Sequence, residues 1–196
     1  MTQDEFFSLP CPISISLVPL DANRPLPDEQ AFLEEIPPLF RVASECVHLE
    51  EQAERSLNRF GSDDAAAIGQ YLSAQNRKIN LLLSHVLNQE ADTASRFTTE
   101  TFGAGHFTLL HSGENTDPWQ LGARFITHLY LESPAAAVYC YSEVVNLETT
   151  ADNLQRVKLR YVRIQEGDRD LLIRCTLAEQ QKMLRKRAEG RLSGSE

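Results

Sequence analysis

Glu100, His106 and His111 are residue types that hold transition metals, as one carboxylate and two imidazole ligands. The histidines stand five residues apart on a stretch of strand character and have no cysteine partner. That matches neither a helical His-x-x-x-His pair nor a Cys/His site, so no metal is expected. Gly103-Ala104-Gly105 has the small residues of a phosphate cradle but is too short to wrap one, and reads as a turn. Ser44, Glu45 and His48 supply hydroxyl, acid and imidazole, yet they fall on one helical stretch without the strand-to-helix elbow that exposes a nucleophile. Glu50 and Glu51 read as the solvated side of that helix. Cys11, Cys46, Cys140 and Cys175 are far apart and fit no metal or redox spacing. No enzyme is expected.

The elements around these residues carry a different signal. Ile68, Leu72, Gln75, Ile79, Leu82 and Val86 follow one another at gaps of 4, 3, 4, 3 and 4. Leu39, Val42, Cys46, Leu49, Ala53, Ser56 and Phe60 precede them at gaps of 3, 4, 3, 4, 3 and 4. An average of 3.5 keeps a narrow apolar seam facing a partner helix, where an ordinary surface helix carries a looser stripe. The two seams predict helices from about Pro37 to Phe60 and from Asp63 or Asp64 to about Asn88, joined by Gly61-Ser62-Asp63-Asp64. They serve either self-association or a helical hairpin packed on its own domain. Gln75 is the one polar member of the second seam, a position that fixes register or else faces water. Leu81, Leu82, Leu83, Val86 and Leu87 widen the stripe, so that end should touch a β-domain.

Strand signals flank the helices. Residues 12–18 alternate with period two, and Pro19 to Pro38 reads as loop with one helical turn at most. After Asp92, strands are expected before Gly103 and over His106–Leu110, Phe125–Leu131, Ala136–Leu147 and Val157–Ile164. A last helix over Asp168 to about Arg191 takes Leu171, Leu172, Cys175, Leu177 and Met183 as its apolar side. Closely spaced strands of this kind form an antiparallel barrel or sandwich. The class is therefore α+β: a single domain over 1–196, with a helical segment at 37–90 and the main β part plus last helix at 94–191.

Composition narrows the partners. The 196 residues carry a formal charge of −9, which disfavours a broad nucleic-acid footprint. The basic run Lys182 to Arg191 reads as an ordinary helix C-terminus. No secretory leader and no apolar stretch of membrane-spanning length is evident, so a cytoplasmic protein with reduced thiols and no membrane insertion is expected.

The segment Arg96 to Arg187 resembles a PilZ domain, the small β-barrel of bacterial cyclic di-GMP signalling. The likeness lies in Thr99-Glu100-Thr101-Phe102-Gly103-Ala104-Gly105 leading into His106-Phe107-Thr108, in Pro118-Trp119-Gln120-Leu121-Gly122 before Arg124-Phe125-Ile126, in Arg160 to Ile164, and in Asp168 to Arg174. Asn76 to Leu83 is similar to the seam helix of an atypical, tetrameric PilZ subclass with two helices inserted after the first barrel strand, here Ile13 to Leu17. The resemblance implies a homotetramer built on Ile68, Leu72, Gln75, Ile79, Leu82 and Val86. It also implies an adaptor acting on a further, unidentified protein.

Nucleotide-binding PilZ domains carry an Arg-x-x-x-Arg arm and an Asp/Asn-x-Ser-x-x-Gly turn. Aligned on Gly105, this chain has Glu100 at the acidic position and Phe102 at the serine. Arg55 with Arg59, and Arg156 with Arg160, fit the arm's spacing but lie in the wrong places. No cofactor is expected in the usual site. The alternative implied is a cyclic di-GMP receptor with an unconventional pocket, in which Arg96 or Arg77 replaces the arm.

Overall fold

A computed structural model describes residues 8–21, 24–57, 63–90, 96–112, 118–132 and 135–192. Its elements run β1 (Ser8–Pro10), β2 (Ser14–Pro19), α1 (Glu29–Glu35), α2 (Pro38–Leu57), α3 (Asp63–Glu90), β3 (Arg96–Gly103), β4 (His106–His111), β5 (Arg124–Glu132), β6 (Ala135–Thr149), β7 (Gln155–Ile164) and α4 (Glu166–Leu192). Six strands close in the order β3-β2-β5-β6-β7-β4, with β4 returning to β3, and every pairing is antiparallel. The architecture is the expected α+β barrel with two long inserted helices and a C-terminal helix. Phe60, Gly61, Ser62, the Gly113–Asp117 part of the expected loop and the Ser193–Glu196 tail lie outside the described residues.

Two elements differ from the sequence reading. The proline-rich stretch contains α1, whose N-terminus is capped by Asp28 accepting from the Ala31 N–H at 2.8 Å. Phe32 on α1 is buried against Tyr139 and Tyr141, and the other α1 residues are strong helix formers, a local signal that the surrounding prolines masked. Strand β1 is the second addition. It pairs with the far half of β3 while β2 pairs with the near half. Thr99 joins the two: its hydroxyl donates to the Cys11 carbonyl at 2.7 Å and accepts from the Ile13 N–H at 2.9 Å.

The apolar interior forms two clusters. Inside the barrel, Ile15, Phe102, Phe107, Leu109, Phe125, Leu129, Val138 and Leu159 are closed off by Leu171, Leu172 and Cys175 of α4. Outside it, Tyr130, Tyr139 and Tyr141 are covered by Phe32, Ile36, Phe40 and Ala43, with Leu83 reaching in from α3. Strand β6 is consequently buried on both faces from Ala135 to Ser142. Leu83 meets the expectation that the end of α3 touches the β-domain. Leu177 does not follow its expected side: it is exposed, because the barrel-facing side of α4 runs through Leu171, Leu172, Cys175 and Thr176.

Asp168, in the first turn of α4, is 4% exposed and accepts a hydrogen bond from the Ser44 hydroxyl of α2 at 2.8 Å. Burial pushes its pKa up from 3.8 to about 6, against the opposing pull of Ser44. The folded chain therefore holds this proton more tightly than the unfolded chain. The associated stability is complete below about 3.8 and is lost as the pH rises to about 6. Asp168→Asn keeps an acceptor for Ser44 and removes the titration. We expect the variant to exceed wild type by on the order of 2–3 kcal/mol at pH 8, with the gap closing toward pH 4. Denaturant unfolding at both pH values checks this, and an equal gap at both would show that Asp168 does not titrate there.

Candidate functional site

Helix α3 is 28 residues long, and its seam turns away from its own chain. Ile68, Leu72, Ile79, Leu82 and Val86 are between 37% and 68% exposed. The side of α3 that meets its own chain carries Asn76, Asn80 and Leu83, about 90° around the helix at 3.6 residues per turn. Asn80 donates to Glu50 of α2 at 3.3 Å. Glu50 is thus half-buried at the α2–α3 contact rather than on the solvated side, while the Glu51 side chain lies outside what is described. Gln75 is half-buried among its exposed neighbours.

The seam of α2 divides into two lines. Leu39, Cys46 and Ala53, a heptad apart, are half-buried. Val42 and Leu49 stand open at 51% and 58%, with Ser56 exposed beyond them. A third line, Phe40, Ala43 and Val47, enters the core. Periodicity marked the amphipathic helix but not which of its lines faces the barrel. The exposed apolar residues of the two seams are therefore Val42 and Leu49 on α2 and the line Ile68, Leu72, Ile79, Leu82 and Val86, with Tyr71, on α3. A contiguous exposed apolar patch on a globular protein marks an interaction site more often than chance.

The turn positions lie elsewhere, on the barrel. Glu100 is clamped by Arg156 of β7, whose Nε and Nη2 each donate to it at 2.6 Å. That fork holds the Glu100 carboxyl below its ordinary range, with the Thr108 hydroxyl adding a smaller contribution. Arg156 also reaches Glu148 at 4.0 Å. Phe102 does not line a surface: it is 2% exposed, inside the barrel and paired with Phe107. A register shift between Thr99 and Thr101 accompanies this placement. The Gly105 carbonyl accepts from the Tyr161 N–H at 3.1 Å, which ties the turn to β7.

The remaining candidate residues are dispersed. His106 and His111 sit at opposite ends of β4, about 16 Å apart at strand rise. His111 packs edge-on to Phe97 and beside Trp119. Among the described residues no group of three His, Cys, Asp or Glu side chains is placed to hold a metal ion. Ser44 and His48 border a cleft of about 350 Å³ between α2 and α4, where Ser44 is bonded to Asp168. Arg96 donates to the Ser14 hydroxyl at 2.8 Å and lies over the Tyr130 ring at 5.9 Å. Arg77 is exposed on α3, and Arg160 pairs with Glu143 at 3.8 Å.

No protein-family model and no curated protein matches the chain. Solved structures do. A tetrameric PilZ domain from Xanthomonas campestris, self-assembled through an unusual helical bundle, superposes with a TM-score of 0.50 at 14% identity, covering 92% of each chain. The Bacillus subtilis inhibitor of motility MotI/DgrA gives 0.48 at 10% identity, over 93% of this chain and 53% of that one. The chain therefore spans about half the length of that protein. The PilZ domain of Escherichia coli YcgR, solved with cyclic di-GMP, gives 0.39 at 14% identity over 50% of this chain and 82% of its own. The fold is that of a PilZ barrel carrying long helices between its first strands.

The Glu100–Arg156 fork predicts a titration. Arg156→Ala removes the main cause of the depressed carboxyl, so the Glu100 midpoint should rise to the ordinary glutamate range. Any stability the pair supplies lies above that range and is lost as the pH falls through the depressed pKa. Carboxyl-carbon NMR titration of both proteins reads this directly; coincident curves would mean that the fork does not set the Glu100 charge.

Proposed function

We propose that this chain is a non-enzymatic PilZ-like adaptor in cyclic di-GMP signalling. It self-associates through α2 and α3, most simply as a tetramer, and acts on a further protein by contact. The observation that carries the reading is the exposed heptad stripe of α3, Ile68 to Val86, turned away from the chain's own core. Burying one Leu or Ile side chain is worth about 1.5–3 kcal/mol, and each copy offers several. The tetrameric helical bundle of the Xanthomonas PilZ domain supports the same use of inserted helices.

Cyclic di-GMP is not expected to bind in the usual way. Its two phosphates need charge-assisted donors, and the guanine edges need small polar partners. Glu100 is engaged with Arg156 and presents negative charge, Phe102 is buried, and Arg96 is held by Ser14. Each ligand polar group left unpaired costs about 1–3 kcal/mol, and every 1.4 kcal/mol is about tenfold in affinity.

Two measurements test the reading. Light scattering at tens of micromolar, about the range where a specific oligomer persists, should give four times the mass of one chain. Leu72→Asp with Ile79→Asp should reduce that to one, with the barrel's melting retained. A wild-type monomer at that concentration would remove the assembly reading. Calorimetric titration with micromolar cyclic di-GMP should give no heat; a saturable one-site isotherm would establish an unconventional pocket and make the chain a receptor.

A further inference from the structure

The cleft between α2 and α4 is used by neither the barrel interior nor the assembly stripe. Arg41, Ser44 and His48 line it from successive turns of α2, and Asp168, Leu171 and Arg174 from successive turns of α4. Its volume of about 350 Å³ lies at the low end of the range for small-molecule sites, about 300–1,000 Å³. Only a small ligand fits.

Charge in this cleft is separated rather than paired. Asp168 is 4% exposed, and its side-chain hydrogen bond comes from Ser44, a neutral hydroxyl. Burial is the main cause of its raised pKa and Ser44 the opposing one, so no cation among the described residues offsets the carboxyl. A carboxylate buried without a cation is costly. Yet Arg41, His48 and Arg174 are basic side chains exposed on the same walls. Arg41 and His48 make no ion pair or side-chain hydrogen bond among the described residues. Glu45, also exposed, is the acidic group beside them, and basic groups outnumber it at the mouth. Val47 and Leu171, both buried, supply an apolar part of the lining.

We infer that this cleft binds a small zwitterion of the amino-acid class. The ammonium donates to Asp168, the carboxylate accepts from Arg41 at the mouth, and a short apolar side chain lies against Val47 and Leu171. A negative floor beneath a positive mouth selects for both charges in one molecule. A simple amine or a basic peptide would meet the positive mouth, and a simple anion would meet Asp168. A zwitterion answers both, and each contact is a charge-assisted hydrogen bond, the stronger kind. The ligand would bridge α2 to α4, and its site shares no residue with the exposed line of α3, so the inference does not depend on assembly.

The test is equilibrium dialysis of the full chain against labelled L-leucine at pH 7. Binding should saturate at one site per chain with a Kd on the order of 1 mM or tighter, as two charge-assisted contacts allow. L-leucinamide keeps the ammonium without the carboxylate, and N-acetyl-L-leucine keeps the carboxylate without the ammonium. Each should compete about tenfold more weakly or worse, the loss expected for one such contact. Glycine, without an apolar side chain, should compete severalfold more weakly. Asp168→Asn keeps an acceptor for Ser44 and should weaken L-leucine about tenfold. Arg41→Ala, at an exposed position, should weaken L-leucine but leave L-leucinamide unchanged, a difference that a merely structural effect would not produce. No saturable binding to wild type overturns the site. So does equal competition by L-leucinamide or N-acetyl-L-leucine, which would make it a plain anion or cation site, and so does undiminished binding by Asp168→Asn.

Discussion

Strand β6 is buried on both faces, and the placement of everything else follows from that. Its inward residues, Ala136, Val138 and Cys140, complete the barrel interior, while Ala137, Tyr139 and Tyr141 form an outer aromatic floor. Two large outward rings cannot be left to water, since each removes more than 150 Å² from solvent when covered, on the order expected for an aromatic residue. Helices α1 and α2 lie on that floor through Phe32, Phe40 and Ala43. Tyr141 donates its hydroxyl to Glu35 at the end of α1, which gives a buried polar tip its partner. Helix α3 lies against both α2 and strands β5 and β6, with Leu83 tucked in. The Ile68–Val86 line is then left facing outward. The outward stripe is thus a consequence of how the barrel's outer wall is covered.

The β7 wall shows the complementary, electrostatic solution. Arg124 and Arg160 converge on Glu143 from either side, and Arg156 binds Glu100 and approaches Glu148. Arg124, Arg156 and Arg160 are thus each matched to a carboxylate on another strand. Pairs this exposed add little to stability. Their effect is to balance charge locally, and Glu100 is the carboxylate that lies nearest the turn.

Much of this was legible in the sequence because β2 and β7 alternate apolar with polar residues. Val157, Leu159 and Tyr161 inward against Arg156, Lys158 and Arg160 is a pattern that period two captures. The α3 seam was equally plain. Helix α1 escaped because Pro25, Pro27, Pro37 and Pro38 enclose its short run of helix formers. The rest of what escaped was set by contacts distant in sequence. Strand β1 depends on Thr99 to fasten Cys11 and Ile13. The identity of Phe102 was readable as a misfit at a polar position, but its inward direction was not, because the register shift at Thr99–Thr101 leaves no compositional mark. Leu177 was misplaced for a similar reason: a long helix with apolar residues on several sides does not declare which side meets the barrel. The polar members of the candidate site were harder still, since Glu100 and Arg156 meet only after three strands have been laid side by side.

The closed ring also decides how copies of this chain can meet. A sheet with a free edge offers unpaired N–H and C=O groups to any passing strand. Here β3 and β4 pair with each other, so the six-strand ring has no such edge. The exposed flank of β1 is only three residues long and ends in Pro10, which cannot donate. Backbone-driven joining, indifferent to side chains, is thereby suppressed. The association proposed for the helices would rest on side-chain contact, where one substitution can change the choice of neighbour. Specificity and solubility are separated in this fold. The barrel can stay unchanged while the helices drift toward new associates, with little risk that a change there lets one sheet grow into the next.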